Sequence, residues 1–486
     1  MIRRPVNILH MNGDPILRSF EVLSSQRRTA PLVWGADEVW TVGDVADMTK
    51  AAEDSIRSAR YDEGSLVGLA ACNGPGFIAG FLALRRLGLT VLLLDWTTPE
   101  AECTRIGESL GAAGVLRVGR SFPIGPQDFT LRSCGVPRGT DGARFARTIA
   151  TVRLTSGSTG FPQGIMHTSE ALIADDSNLS AVMGLKPDER ILASIPMAHA
   201  YGFISVFLPS VLRGSVLVVP DRGDPYAAPR AAVAGDVTFL PTVPAYLKAV
   251  LNAAEPPPLP AKLRLVISAG APLAPEVAVR FRETYGRPVH VFYGASEVGG
   301  IAYDRDGTAG ERGTLGTPVD GVEVTLEPVD GVGHHEGVVA VRSAAVAQGY
   351  FPQASPSLSN GRFCSTDLAV FQSGEIVLRG RLDEFINIRG KKVNPREVEA
   401  ILRNHEWIDD AAVFGTVDSR TLEQRICTVI ECSSRDVGYE EVRSWCQEHL
   451  ASHKVPRVIV VVDQLPRNER GKLDRPAIRA LAAADD

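Results

Sequence analysis

The sequence predicts an α/β protein: a large N-terminal domain of doubly wound sheets with a small β-barrel, then a small α+β C-terminal domain. Three observations predict it. Continuous apolar runs such as Ser65–Ala71 and Val91–Leu94 alternate with helical segments, the pattern of parallel strands covered on both faces. Near Gly310 the rhythm changes to short strands punctuated by glycine, and from Glu384 onward longer strands and helices alternate without further runs of that kind. A chain of 486 residues with 44% hydrophobic content exceeds a single core. The expected division is residues 1–381 and 382–486.

In order along the chain, a polar start leads to Leu32–Trp40 and Trp40–Val45, a strand pair running into a helix with Thr41 at its N-cap. Strand Ser65–Ala71 is closed by Asn73-Gly74-Pro75-Gly76, and Phe77–Leu87 is an apolar helix. Strand Val91–Leu94, the amphipathic stretch Pro99–Leu110 and strand Val115–Val118 follow; Phe122–Gly142, rich in Gly, Pro and Arg, reads as a surface wrap. Helix Ser169–Met183, strand Arg190–Pro196, helix Phe203–Leu212, strands Val216–Val219, Val237–Leu240 and Leu265–Ser268, helix Pro275–Tyr285 and strand Val289–Phe292 complete the alternation. The glycine-punctuated strands are Gly313–Gly316, Val322–Leu326, Val338–Arg342 and Glu375–Leu378. The C-terminal part reads as strands Ala411–Val417 and Arg425–Glu431, helix Tyr439–Leu450, strand Arg457–Val462 and a helical tail after Asp474.

Bulk properties exclude several classes. Net charge is −6 and the basic residues are scattered, which argues against a nucleic-acid partner. The seven cysteines show no CxxC or Cys/His cluster and read as reduced thiols. The start, Met1-Ile2-Arg3-Arg4-Pro5, is not followed by an apolar run, and Leu87–Leu94 and Val458–Val462 fall far below spanning length. The reading is a soluble cytoplasmic protein without a membrane partner.

The most specific stretch is Thr151–Thr168. A β-branched run, Thr151–Leu154, opens into Thr155-Ser156-Gly157-Ser158-Thr159-Gly160, a loop with almost no side-chain bulk. Glycine lets successive N–H groups turn inward as a nest, and short hydroxyls add donors at the same radius, which suits a polyanion such as the phosphates of ATP. The order hydroxyl-hydroxyl-Gly-hydroxyl-Thr-Gly-x-Pro-x-Gly is not the Walker pattern, which ends in Gly-Lys-Ser/Thr. It resembles the phosphate loop of the adenylate-forming superfamily: acyl- and aryl-CoA synthetases, luciferases and peptide-synthetase adenylation domains. That family usually has Lys where this chain has Gln163.

Further blocks follow in the family's order, so that the resemblance runs from about Leu32 to Leu481. Tyr293-Gly294-Ala295-Ser296-Glu297 resembles the block whose tyrosine stacks on adenine, whose hydroxyl meets the α-phosphate and whose glutamate binds Mg²⁺. Ser268–Leu273, with Gly270, Ala271 and Pro272, resembles the other wall of the adenine slot. Ser365-Thr366-Asp367 stands where the family has Thr-Gly-Asp, so Asp367 takes the ribose hydroxyls by resemblance; Arg381 matches the arginine that reaches ribose or phosphate. Asp383 matches the hinge about which the small domain rotates between half-reactions. Lys472, in Gly471-Lys472-Leu473-Asp474-Arg475, matches the lysine that bridges the attacking carboxylate and the α-phosphate. His199 matches the gate beside the acyl pocket, and Tyr201, Val243, Gly294, Gly299 and Gly300 fall where that pocket is lined. Gly299-Gly300 either opens room for a bulky acid or only makes a turn. Gly390 matches the glycine of the pantetheine tunnel, and Lys391 and Lys392 either meet the phosphates of CoA or form a solvated basic turn.

The resemblance implies a ligase using ATP, Mg²⁺ and CoA, in which a carboxylic acid becomes an acyl-adenylate and then a thioester. Gln163 adds a complication. The usual lysine gives a charge-assisted bond worth roughly 1.5–3 kcal/mol, so its loss weakens adenylation by about tenfold to a hundredfold. One alternative is a ligase specialised in thioesterification, taking a pre-formed acyl-adenylate from a separate adenylating enzyme. Another loads a carrier protein in trans, and a third is a nucleotide-binding pseudo-enzyme. No charged residue stands out as a partner for an amino group, which leans away from amino-acid substrates.

Overall fold

Two sheets carry the N-terminal part of the chain. In the seven-stranded sheet the order is Gly349–Phe351, Gln163–Thr168, Ile149–Thr155, Thr90–Leu94, Leu66–Ala70, Gly114–Val118, Phe129–Ser133. Its central strands pair in parallel and its edges are antiparallel. The nine-stranded sheet runs Thr317–Pro318, Gly299–Tyr303, His290–Ala295, Leu265–Ser268, Phe239–Thr242, Arg190–Leu192, Val216–Val218, Pro31–Trp34, Val39–Thr41. The computed structural model describes residues 13–36, 38–119, 128–135, 143–155, 163–221, 227–329, 335–382, 386–388, 391–417, 424–432, 438–450, 452–468 and 473–484; residues 155, 387, 391, 392, 417, 483 and 484 are described by backbone alone.

Burial explains the apolar runs. Every residue of Leu66–Ala70 and Thr90–Leu94 is buried, as parallel strands covered on both faces require. Helix Pro75–Arg86 is buried along almost its whole length. Its Phe77 and Phe81 pack edge-on against Phe207 and Phe203 at 4.7–5.5 Å between ring centroids, a geometry that aligns ring edges with ring faces. Thr41 does cap helix Val42–Arg57: its hydroxyl accepts from Asp44 N at 3.1 Å and Asp44 accepts from Thr41 N at 2.8 Å, a reciprocal capping box.

Several local readings change. The polar start contains helix Pro15–Gln26, capped by Asp14, whose Oδ1 accepts from Ile16 N. The surface wrap contains strand Phe129–Ser133. The helix expected from Phe203 begins as a π-turn, Phe203–Phe207, before α-helix Leu208–Arg213. Gly313–Gly316 is not a strand; helix Ala309–Arg312 ends there on Gly313 in the left-handed region. The remaining glycine-punctuated strands, Val322–Pro328, Gly337–Ser343, Leu358–Ser359, Arg362–Gln372 and Glu375–Arg381, form a five-stranded sheet.

The chain divides into two compact units, Met1–Val324 with Val341–Cys364 and Gly374–Ile376, and Thr325–Ala340 with Ser365–Ser373 and Val377–Asp486. The second contains helix Pro395–Arg403, not anticipated from the sequence, and a three-stranded sheet of Asp410–Val417, Gln424–Glu431 and Val458–Val462. One core, with Val398, Leu402, Val413, Ile430 and Val442, is matched by a second, in which Phe414, Val429 and Val460 pack with Ile478 of helix Arg475–Ala484. Among the described residues no helix is long and apolar enough to cross a membrane.

Candidate active site

The strands on either side of the stretch read as a phosphate loop pair with each other. Strand Ile149–Thr155 pairs antiparallel with Gln163–Thr168, and Thr155 stands opposite Gln163 at its mouth. Gln163, half-buried, is thus the first residue of the return strand. Ser156, Gly157, Ser158, Thr159 and Gly160 lie outside the described residues. The glycine that closes the motif, Gly164, is a packing glycine: a Cβ there would run into Val152. Alternate residues share a strand face, so the register puts Thr151, Arg153, Thr155, Gln163, Ile165 and His167 on one face. The other face presents Val152, Leu154 and Met166 to an apolar core with Leu66, Leu92 and Leu94.

A second hairpin, His290–Ala295 with Gly299–Tyr303, carries Tyr293, Gly294, Ser296 and Glu297. Tyr293 is buried, Gly294 exposed, and Ser296 and Glu297 half-buried in the turn. Four hydrogen bonds hold that turn. His167 Nε2 donates to the Ser296 carbonyl at 2.9 Å, Gly300 N donates to Asp175 Oδ1 at 2.9 Å, Ala347 N donates to the Glu297 carbonyl at 2.8 Å, and the Tyr350 hydroxyl donates to Glu297 Oε1 at 2.9 Å. The polar motif of one hairpin is therefore bolted to the phosphate-loop hairpin through His167. Burial and then the Glu297 charge push the Tyr350 hydroxyl pKa up, which keeps it a proton donor. Glu297 offers the oxygen donor that Mg²⁺ takes when substrate phosphates supply most of its other ligands, so the residue fits that ion.

Charges behind this turn are unusual. Arg153, His167, Asp175 and Asp176 are all buried. Burial raises the Asp175 carboxyl to about 7, with the Gly300 amide and the Arg153 charge opposing. Burial and then Arg153 hold His167 well below the usual imidazole range, so it is neutral. Its Nε2 carries the proton, because Ser296 O can only accept. Gly299 and Gly300, which the sequence reads either as room for a bulky acid or as a turn, have no room on their Cβ side. Gly299, at φ +72°, abuts the Asp175 carboxylate, and a Cβ on Gly300 would sit 2.6 Å from Leu179. Close packing of helix Ser169–Met183 accounts for both, so neither glycine holds space for an acid on its Cβ side.

His199 caps the short turn Ala200–Gly202, and its Nε2 lies 2.8 Å from Asp95 Oδ2. Asp95 follows the buried strand Thr90–Leu94; its bond to His199, against the cost of burial, holds its carboxyl far below the usual range. Asn73 fixes the preceding loop, donating to the Ala193 and Ile195 carbonyls at 2.7 and 2.8 Å and accepting from Met197 N at 2.8 Å. Tyr201 directs its hydroxyl to the backbone of Thr242, accepting from N at 3.0 Å and donating to O at 3.1 Å, so it ties two strand ends together. Val243, half-buried, lies 4.0 Å from the Cβ position of Gly270, which has φ +80°. Gly270, Ala271 and Pro272 are exposed.

In the second unit Asp367 is half-buried in strand Arg362–Gln372, its amide donating to Ser365 Oγ at 3.0 Å, and Arg381 is exposed at the end of Glu375–Arg381. Lys391 and Lys392 form the return strand of a hairpin with Ile386–Ile388. Asp383, Gly390 and Lys472 lie outside the described residues. The segments flanking Lys472 are anchored. Arg467 bridges to Leu473 and pairs with Asp410 at 2.6 Å, while Arg475 Nη2 lies 3.5 Å from the buried Glu399.

The sequence reading missed Asn73, Asp95, Arg153, His167, Asp175 and Tyr350. Only Asp95 carried a signal, a carboxylate just after a buried parallel strand, where open α/β sheets place their sites.

Known proteins resemble this arrangement. The sequence profile described as AMP-binding enzyme matches residues 21–351, and that described as AMP-binding enzyme C-terminal domain matches residues 397–472. A probable CoA ligase of Humulus lupulus is 30% identical over 336 residues, 66% of this chain; the chain thus spans less than two thirds of that relative's length, 64%. A 2-succinylbenzoate–CoA ligase of Bacillus pumilus is 26% identical over 93% of this chain and 95% of its own. The o-succinylbenzoate CoA synthetase of Bacillus subtilis, solved with its acyl-adenylate, superposes with a TM-score of 0.78 at 22% identity, covering 94% of this chain and 97% of that one. At that identity the likeness is one of fold.

Proposed function

The chain belongs to the AMP-binding enzyme family, and on that premise we propose that it is a cytoplasmic acyl- or aryl-acid CoA ligase. A carboxylate attacks the α-phosphate of ATP to give an acyl-adenylate and pyrophosphate; the CoA thiol then attacks the carbonyl and AMP leaves. The observation that carries this reading is the bond from His167, on the phosphate-loop hairpin, to Ser296, beside Glu297. It ties strand Gln163–Thr168, which follows the loop read as phosphate-binding, to the turn that carries Glu297, the carboxylate read as the metal ligand.

In this reading Thr155–Gly160 and Gln163 cradle the phosphates, Tyr293 and Gly270–Pro272 flank adenine, and Ser296 meets the α-phosphate. When bound, Mg²⁺ supplies charge neutralisation on the phosphates, and Glu297 holds it. Asp367 and Arg381 take the ribose, and Lys472 stabilises the charge that develops on phosphorus. Asp383 is the hinge between residues 1–381 and 382–486, and Gly390, Lys391 and Lys392 receive CoA. His199, oriented by Asp95, stands at the entrance to the acyl pocket, with Tyr201 and Val243 behind it.

Gln163 favours a second reading, in which the chain mainly converts a supplied acyl-adenylate into a thioester. Pyrophosphate release and thioester formation, measured over a panel of aromatic and aliphatic acids that includes 2-succinylbenzoate, separate the two. A full ligase gives both from ATP, acid and CoA. A thioesterifier gives product only from acyl-adenylate, and its Gln163→Lys variant should gain about tenfold to a hundredfold in pyrophosphate release. Carrier protein in place of CoA tests loading in trans. Absence of every product would sink the ligase reading.

A further inference from the structure

Arg153 is 3% exposed, yet its Nε and Nη2 have no hydrogen-bond partner among the described residues. On the same strand face, Thr151 Oγ1 and His167 Nδ1 are buried and equally unpartnered. Buried polar groups are nearly always paired, and a cluster left open among the described residues is a place that a bound group can complete. Asp175 does not complete it: its Oδ1 accepts from Gly300 N, and neither Nε nor Nη2 of Arg153 bonds to it. Burial pulls the guanidinium pKa down only to about 10, so Arg153 is charged at neutral pH.

The cluster lies between the two segments assigned to the acyl pocket. The Arg153 guanidinium sits 4.8 Å from the centroid of Phe203, four residues after His199. Asp175, whose charge Arg153 feels, is packed against Gly299 and Gly300 beyond Glu297. Resting on the ligase reading above, we propose that Arg153, with Thr151 and His167, forms a buried polar subsite at the closed end of the acyl pocket, and that it selects acids carrying a second carboxyl group. The donors and acceptor match that group. One carboxyl oxygen accepts from Arg153, and a single proton lies between the other oxygen and His167 Nδ1, the lone pair that the tautomer leaves open. A simple apolar acid leaves all of these unmet, the circumstance in which a polar site rejects a ligand most strongly.

The test uses matched acids that differ at the distal group: succinate against butyrate, and terephthalate against 4-methylbenzoate. Pyrophosphate release is measured with the full chain and with Arg153→Met, direct binding of the same four acids is followed by calorimetry, and both proteins are melted at pH 6. The expected result is a preference for the diacid of about tenfold to a hundredfold in at least one pair. Arg153→Met should bring that ratio to about one and hold or raise the melting temperature. No diacid preference in either pair, or one that survives in Arg153→Met, overturns the subsite. So does a lowered melting temperature with the ratio unchanged, which makes Arg153 structural. If no acid releases pyrophosphate while diacid binding still depends on Arg153, the ligase reading fails and the subsite stands. If Arg153-dependent binding is also missing, both fail.

Discussion

Two arginines are buried to the same degree, Arg85 on helix Pro75–Arg86 and Arg153 on strand Ile149–Thr155, and the chain treats them differently. Arg85 is 4% exposed and fully engaged. Its Nε donates to Asp14 at 2.8 Å, Nη1 to the Leu89 and Ile149 carbonyls at 2.8 and 2.9 Å, and Nη2 to the Arg147 carbonyl at 2.8 Å. Arg153 is 3% exposed, and among the described residues its Nε and Nη2 have no hydrogen-bond partner; the Phe203 ring lies 4.8 Å away and the Asp175 charge acts on it. A buried charge with its partners in place is architecture; one without them costs stability that folding alone does not recover. The difference separates a residue that joins strand, helix and N-terminal segment from one set aside for a ligand.

The largest effect should come from breaking the satisfied member. Arg85→Met strands Asp14 Oδ2 and the Leu89 and Arg147 carbonyls, while Ile149 O keeps the Thr90 hydroxyl, and should cost about 3–5 kcal/mol in urea unfolding, as removal of one partner from a buried pair does. The same substitution at Arg153 strands no hydrogen-bond partner of Nε or Nη2 among the described residues. Equal losses at the two positions would dissolve the contrast.

Asp175 sharpens it through pH. Its folded pKa is raised from 3.8 to about 7, so between those values the folded chain keeps a proton that the unfolded chain has released. Stability therefore falls as pH rises from about 4 to 7 and is level above that, by up to about 4 kcal/mol from this one group. Asp175→Asn keeps an oxygen for the Gly300 amide and removes the titration. Urea midpoints at pH 5 and pH 8 should lie closer together in the variant than in the parent; an unchanged gap would mean that Asp175 is ionised throughout.

What the sequence disclosed and what it withheld follow the same division. Helix Ser169–Met183, helix Pro275–Tyr285 and strand Leu265–Ser268 were legible to the residue, because burial periodicity, caps and punctuation are local. The candidate motif residues of the two hairpins could be picked out because they stand together in sequence. Arg153 was not: one arginine in a β-branched run carries no sign of whether its partners will arrive. Arg85 finds one of its partners 71 residues away in Asp14, Asn73 finds Met197 124 residues away, and His199 finds Asp95 at 104. Such contacts depend on which strands become neighbours. The packing behind Gly299 and Gly300 was hidden for the same reason, since the helix that fills the space on their Cβ side lies far upstream.

The smallest effect tests whether a satisfied polar contact at the site serves the fold or the chemistry. Tyr350 lies on edge strand Gly349–Phe351, paired to the return strand of the phosphate-loop hairpin, and its hydroxyl reaches Glu297 at 2.9 Å. Tyr350→Phe removes one oxygen and leaves the ring, the strand pairing and the Ala347 amide on the Glu297 carbonyl in place. A hydrogen bond to a carboxylate aligns it and draws off part of its charge, at a net value of about 1.5 kcal/mol. Without it Glu297 is freer to rotate but more basic, so Mg²⁺ binding should change little. The loss should fall on the turnover of adenylate formation, at about fivefold to tenfold. Steady-state pyrophosphate release across a Mg²⁺ titration separates the two quantities. A lower turnover at an unchanged Mg²⁺ midpoint makes Tyr350 a positioning residue for Glu297. A shifted midpoint at full turnover would place it with the ion instead, and a fall in unfolding free energy with neither change would put it on the side of Arg85.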